Sequence, residues 1–119
     1  MHDANKVFVY YCSSDGWWGD TADTSHENKW EFRGSRIVRA TILSLVLNTD
    51  IIKKPNQFVV FGGGSAGSFG STWHFNSIAD TLKSYNTGIK VVGFFDSSAG
   101  FMTYKELNAN NTPTVEDVK

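Results

Sequence analysis

The sequence is short of most bulk features that would announce a function. It has one cysteine, Cys12, so no internal disulfide can form, and no C-x-x-C pair or Cys/His spacing points to zinc or another metal. It has no excess of either charge. Its 11 Lys+Arg stand against 12 Asp+Glu, a formal net charge of -1 that supplies no pull toward phosphate backbones or anionic lipid, so nucleic acid is a poor partner. It lacks a long apolar run: the stretches around Ile42–Leu47 and Val91–Phe95 fall far short of the roughly 20 residues of a membrane span. Before the first apolar segment stand only Met1-His2-Asp3-Ala4-Asn5-Lys6, without the regions of an export signal. What is present is a globular balance over 119 residues, 40% hydrophobic, 19% charged and 14% aromatic, enough to build the core of one domain or of a piece of one.

The apolar segments alternate with helical patterns. Val7-Phe8-Val9-Tyr10-Tyr11 reads as a strand buried on both faces, Gln57-Phe58-Val59-Val60-Phe61 as a second and residues 89–95 as a third. Between them, residues 31–48 and 66–84 carry helical spacing. In the first, Val38, Thr41, Ile42 and Leu45 share a face opposite a solvated stripe of Arg33, Arg36 and Arg39; in the second, Phe75, Ile78, Ala79 and Leu82 repeat until Asn86-Thr87-Gly88. This order specifies an α/β fold with a parallel sheet and helices over its faces. A polar loop marked by Trp17, Trp18 and Trp30 follows the first strand, and the Asn-rich tail after Phe101 reads as a loop or frayed terminus.

Chemistry concentrates in the glycine turn expected from Gly62 to Gly67. Gly63-Gly64-Ser65-Ala66-Gly67 is G-x-S-x-G between a strand and a helix, the context of a nucleophile elbow. The serine must sit on a tight turn with its hydroxyl above the sheet, so small residues flank it. The Ala66 N–H then points toward a developing oxyanion at a helix N-terminus. The same stretch also satisfies a dinucleotide fingerprint, Gly62-x-Gly64-x-x-Gly67, with Asp96 closing the next strand as the ribose acid. Asp96 lies farther along than that fingerprint places it, and the lysine of a P-loop is missing.

Four blocks, taken in order, resemble the pectin acetylesterase family, which includes Notum-type carboxylesterases. They are Tyr10-Tyr11-Cys12-Ser13-Ser14-Asp15 with Trp17 and Gly19; Phe32-Arg33-Gly34-Ser35-Arg36-Ile37; Gly62 to Gly67; and Asp96-Ser97-Ser98-Ala99-Gly100-Phe101. The resemblance implies a three-layer α/β-hydrolase-like sheet, here partial, with about three strands and two main helices. It implies ester hydrolysis by a Ser-Asp-His triad, with Ser65 as nucleophile, Ala66 as an oxyanion donor, Gly63, Gly64 and Gly67 shaping the elbow, and no cofactor. Residues 1–119 would then be the central part of a longer, secreted enzyme acting on an acylated glycan or protein. The family's Gly-Gly-Trp donor segment has no counterpart here, and Gly100 follows Asp96 later than the family pattern has it.

The histidines qualify that expectation. The triad order is nucleophile, acid, histidine, and neither His2, His26 nor His74 follows in the required place. His74, nine residues past Ser65 and about 13 Å along a helix, reads as a packing or surface residue. Asp15, Trp17 and Asp96 are candidate pocket residues. Turn-capping is the simpler reading of Asp15, core packing that of the tryptophans, and loop-fixing that of Asp96. Cys12 is expected to pair outside the chain or to be a buried thiol. The chain alone is expected to be inactive, with uncovered apolar sheet edges that make it poorly soluble or partly unfolded.

Overall fold

The computed structural model describes residues 2–21 and 31–97. Its elements follow in the order helix α1 (Gly34–Asn48), strand β1 (Phe58–Gly64), helix α2 (Ala66–Tyr85) and strand β2 (Lys90–Asp96). β1 and β2 are parallel, in register from Phe58↔Lys90 to Gly64↔Asp96, with α2 as the crossover between them. α2 packs on both strands and α1 packs on α2. The α/β character and the parallel pairing are as the alternation of patterns requires.

α2 forms because Ser68, Ser71, His74, Ile78 and Leu82 recur at three- and four-residue intervals and so share one buried face. It ends at Asn86, whose N–H donates to the Leu82 carbonyl and whose side-chain amide donates to Ile52 O and Lys54 O. α1 buries Val38, Ile42 and Val46 by the same spacing. These meet Trp17, Ile78, Leu82 and Ile89 in the core, with Val9, Val59, Phe61 and Val91 packed around them.

Three expectations need correction. Residues 7–11 are not a strand of the sheet, which has two strands among the described residues. Val9 turns toward the core while Phe8 and Tyr10 stay 84% and 80% exposed, so the continuous apolar run hides a one-sided segment with no ladder partner alongside. The glycine turn is also shorter than expected, because Gly62, Gly63 and Gly64 continue β1 opposite Phe94, Phe95 and Asp96. Only Ser65 separates strand from helix. Finally, the helices do not cover both sheet faces: Phe58, Val60, Val92 and Phe94, all pointing away from α2, remain exposed.

Candidate active site

Ser65 occupies the single-residue turn at the C-terminal end of β1, with φ 52 and ψ -122. For a residue with a Cβ that conformation is strained by roughly 1–3 kcal/mol, and its surroundings must hold it. The backbone does so on both sides. The Ser65 N–H donates to Asp96 O at 2.9 Å, extending the parallel ladder one step past Gly64, and the Ser65 carbonyl accepts from Ser68 and Phe69 in the first turn of α2. One of the flanking glycines is required by contact. A Cβ on Gly63 would lie 2.6 Å from the Gly67 carbonyl carbon and oxygen, so the strand can double back into the helix only where residue 63 is bare.

The Ser65 side chain is exposed, and among the described residues it makes no hydrogen bond. Beside it, the Ala66 and Gly67 N–H groups make no backbone bond within the described residues, as the opening of a helix leaves them. The Asp96 carboxylate stands at the neighbouring strand end, next to Gly64, and accepts from Ser97 Oγ at 3.2 Å. Ser65, Ala66, Gly63, Gly64, Gly67 and Asp96 thus gather at one edge of the sheet. With no loop between β1 and α2 beyond Ser65, the glycines have no freestanding turn in which to wrap a pyrophosphate, and the dinucleotide reading finds no support.

Asp15 and Trp17 fall in a second cluster. Asp15 Oδ1 accepts from Ser13 Oγ at 2.6 Å and the Trp17 N–H at 2.9 Å, and Oδ2 accepts from the Gly19 and Gly34 N–H groups at 3.0 and 2.7 Å. The carboxylate thereby serves as the anion at the N-terminus of α1, whose own N-cap, Arg33, offers no side-chain bond. Gly34 has to be bare, since a Cβ there would come within 2.3 Å of Asp15 Oδ1. Burial raises the Asp15 pKa, but the bonds from Ser13, Gly34, Trp17 and Gly19 outweigh it and leave the carboxyl below its ordinary range.

Trp17, at φ 69, is buried against Tyr11 and Gly70. Its carbonyl accepts from Nε2 of the buried His74 at 2.7 Å. His74 is therefore committed to this loop. His2 is fully exposed beside Asp3, and His26 and Trp30 lie outside the described residues, as does the tail after Phe101. Cys12 is exposed, not buried. Among the described residues no three His, Cys, Asp or Glu side chains gather as a metal site would need, and no helix is long and apolar enough to cross a membrane.

The His74–Trp17 bond is the contact that sequence reasoning missed. Its one visible signal is that His74 shares the buried stripe of Ser71, Ile78 and Leu82.

A family model described as pectinacetylesterase matches residues 1–115. The chain belongs to the pectinacetylesterase family. It is 37% identical over 86 residues to the palmitoleoyl-protein carboxylesterase NOTUM of Drosophila melanogaster, covering 68% of this chain and 12% of that protein. It is 33% identical over 112 residues to the protein of the same name from Schmidtea mediterranea, covering 93% and 20%. Against the Homo sapiens protein the figures are 31% over 96 residues, 80% and 18%. The chain thus spans between 12% and 20% of the length of these three relatives. No solved structure gives a significant match. Within this pectinacetylesterase chain, the four sequence blocks pair off in space. Asp15 ties the first to the second at Gly34, and the Ser65–Asp96 bond ties the third to the fourth.

Proposed function

We propose that this chain is the nucleophile-bearing centre of a longer serine carboxylesterase, which removes an acyl group from a glycan or protein and is secreted. The observation that carries the reading is Ser65 itself: a serine with an exposed hydroxyl, held at φ 52 on a one-residue turn between a parallel strand and a 20-residue helix. The naming of its relatives as carboxylesterases supports the same chemistry. Ser65 Oγ attacks the ester carbonyl while a histidine takes its proton. The Ala66 N–H stabilises the negative charge on the former carbonyl oxygen. Collapse releases the alcohol, protonated by that histidine, and water then cleaves the acyl-serine by the same route in reverse.

The histidine belongs to the longer protein in this scheme, as does the triad acid. Two features support a longer parent: relatives five to eight times the matched length, and the apolar sheet face of Phe58, Val60, Val92 and Phe94, which a second helical layer would bury. Asp96 acts through its backbone, fixing the elbow by accepting from the Ser65 N–H. Hydrolysis of p-nitrophenyl acetate tests the assignment. The longer protein turns over and its Ser65→Ala variant does not, while residues 1–119 alone give no turnover above their own Ser65→Ala control. Ser65-dependent turnover by residues 1–119 would place a base within this chain and overturn the division of labour.

A further inference from the structure

Helix α2 is held unevenly along its length. Its second half is pinned by apolar burial, with Ile78 and Leu82 in the core. In the half that opens at Ser65, the buried residues are Ser68, Gly70, Ser71 and His74. The three small ones tie it to nothing. Ser68 Oγ is buried without a partner, Ser71 Oγ donates back to Gly67 O in its own helix, and Gly70 supplies only room, since a Cβ there would lie 2.5 Å from Trp17 Cδ1. Phe75 meets the Phe95 ring edge to face, an apolar contact that sets no direction along the helix.

His74 is different. Its Nε2 donates to the Trp17 carbonyl at 2.7 Å, and among the described residues this is the one hydrogen bond from a side chain in the first half of α2 to another part of the chain. No described backbone N–H shares that carbonyl. The acceptor is itself fixed, because the Trp17 N–H donates to Asp15, whose carboxylate also takes the Gly34 N–H at the start of α1. Both partners are buried within this chain, Trp17 at 6% and His74 at 4% exposure, so the bond does not depend on what a longer protein lays over the surface.

The strained turn at Ser65 persists only while both of its sides are held. On the strand side the Ser65 N–H is fixed to Asp96 O; on the other side its ψ of -122 is set by where α2 begins. A shift of the opening turns of α2 lets that angle relax, and moves Ser65 Oγ and the Ala66 N–H relative to each other. Catalysis by positioned groups is steep in such displacements, with about 1 Å costing on the order of 10²-fold.

We propose that His74 is a positioning residue for Ser65: by anchoring the first half of α2 to the Trp17 loop it holds the nucleophile and its oxyanion donor in their reactive arrangement. This rests on the esterase reading and deepens it, adding a group that touches neither substrate nor reacting atoms.

The test is steady-state hydrolysis of p-nitrophenyl acetate by the longer protein and its His74→Phe, His74→Met and His74→Gln variants, well below each denaturation midpoint, with kcat expressed per folded molecule from near-UV circular dichroism of the same samples. Phe and Met fill the site without a donor; Gln restores one. In the two donorless variants kcat falls about tenfold or more while KM stays within about threefold, and His74→Gln returns to within about threefold of its parent. The pH dependence of kcat/KM keeps the same apparent base pKa throughout. A residue that only stabilises the fold would lower the midpoints of the donorless variants and leave kcat per folded molecule unchanged, and that result overturns the proposal. So does a change confined to KM, a His74→Gln variant that does not recover, or failure of both donorless variants to fold. Loss of the base limb of the pH profile in His74→Phe would make His74 itself the base and overturn it as well. The two readings fail distinguishably. No Ser65-dependent turnover in the parent removes the esterase and this inference with it; Ser65-dependent turnover that ignores the loss of the donor removes this inference alone.

Discussion

Trp17 and Ser65 both hold a side chain at positive φ, at 69° and 52°, and they do so to opposite ends. Around Trp17 every restraint points inward. Asp15 and His74 take its two backbone groups, and the residue is 6% exposed. Around Ser65 the backbone is just as firmly held, by Asp96 on one side and α2 on the other, but the side chain faces solvent. In the first region strain is the consequence of closing a loop onto the core; in the second it presents a hydroxyl. Backbone strain of similar type therefore marks a structural clamp where the side chain is buried and a candidate site where it is free.

Substitutions can break that contrast. Trp17→Ala should cost the most, about 3–5 kcal/mol of stability, because it empties a buried indole site. Ser65→Ala, a residue with the same backbone demand and an exposed side chain, should leave the denaturation midpoint of the same protein unchanged. Equal destabilisation by the two would remove the distinction between clamp and site.

The acid dependence of the clamp is a second test. The Asp15 pKa is lowered in the folded chain, so its charged form stabilises the fold above the ordinary carboxylate pKa of about 3.9, and that contribution is lost as pH falls through the depressed value. Asp15→Asn should therefore be less stable than its parent at pH 7, with the gap narrowing below about pH 4. The Asp20 and Asp50 carboxyls are also lowered, Asp20 by its bond from Arg36 and Asp50 by Lys53, but they are common to both proteins and cancel in the difference. A gap that stays constant down to pH 2 would mean that the Asp15 charge does not support the loop.

The smallest effect should be a gain. Ser65→Gly relieves the positive φ, and should raise stability by about 1 kcal/mol while abolishing any Ser65 chemistry. Stability lower than that of Ser65→Ala would show that the turn is not strained.

Much of this arrangement was legible in the residues. Helical spacing placed both helices, with α1 beginning three residues later than the pattern suggests, at Gly34, where Asp15 reaches across to cap it. G-x-S-x-G between a strand and a helix located the turn. What periodicity could not convey was pairing. Residues 7–11 are apolar enough for a central strand, yet a strand exists only where a neighbour supplies its ladder, and no neighbour stands there among the described residues. The glycines misled in the other direction. Three in succession look like a loop, but parallel pairing with Phe94, Phe95 and Asp96 keeps them in β1. Asp15 was readable as a turn-capping group from its place after an apolar segment, but not its bond to Gly34, nineteen residues away. The His74–Trp17 bond spans 57 residues and lies beyond any local pattern.

The claim on which the rest depends is that the strained, exposed Ser65 is a nucleophile. It is tested most directly by treating the longer protein with a fluorophosphonate and locating the adduct by peptide mass spectrometry. The account predicts one stoichiometric adduct on the peptide containing Ser65, absent from Ser65→Ala and from protein unfolded before treatment. No adduct on folded, hydrolytically active protein, or an adduct that survives Ser65→Ala on another serine, would contradict it.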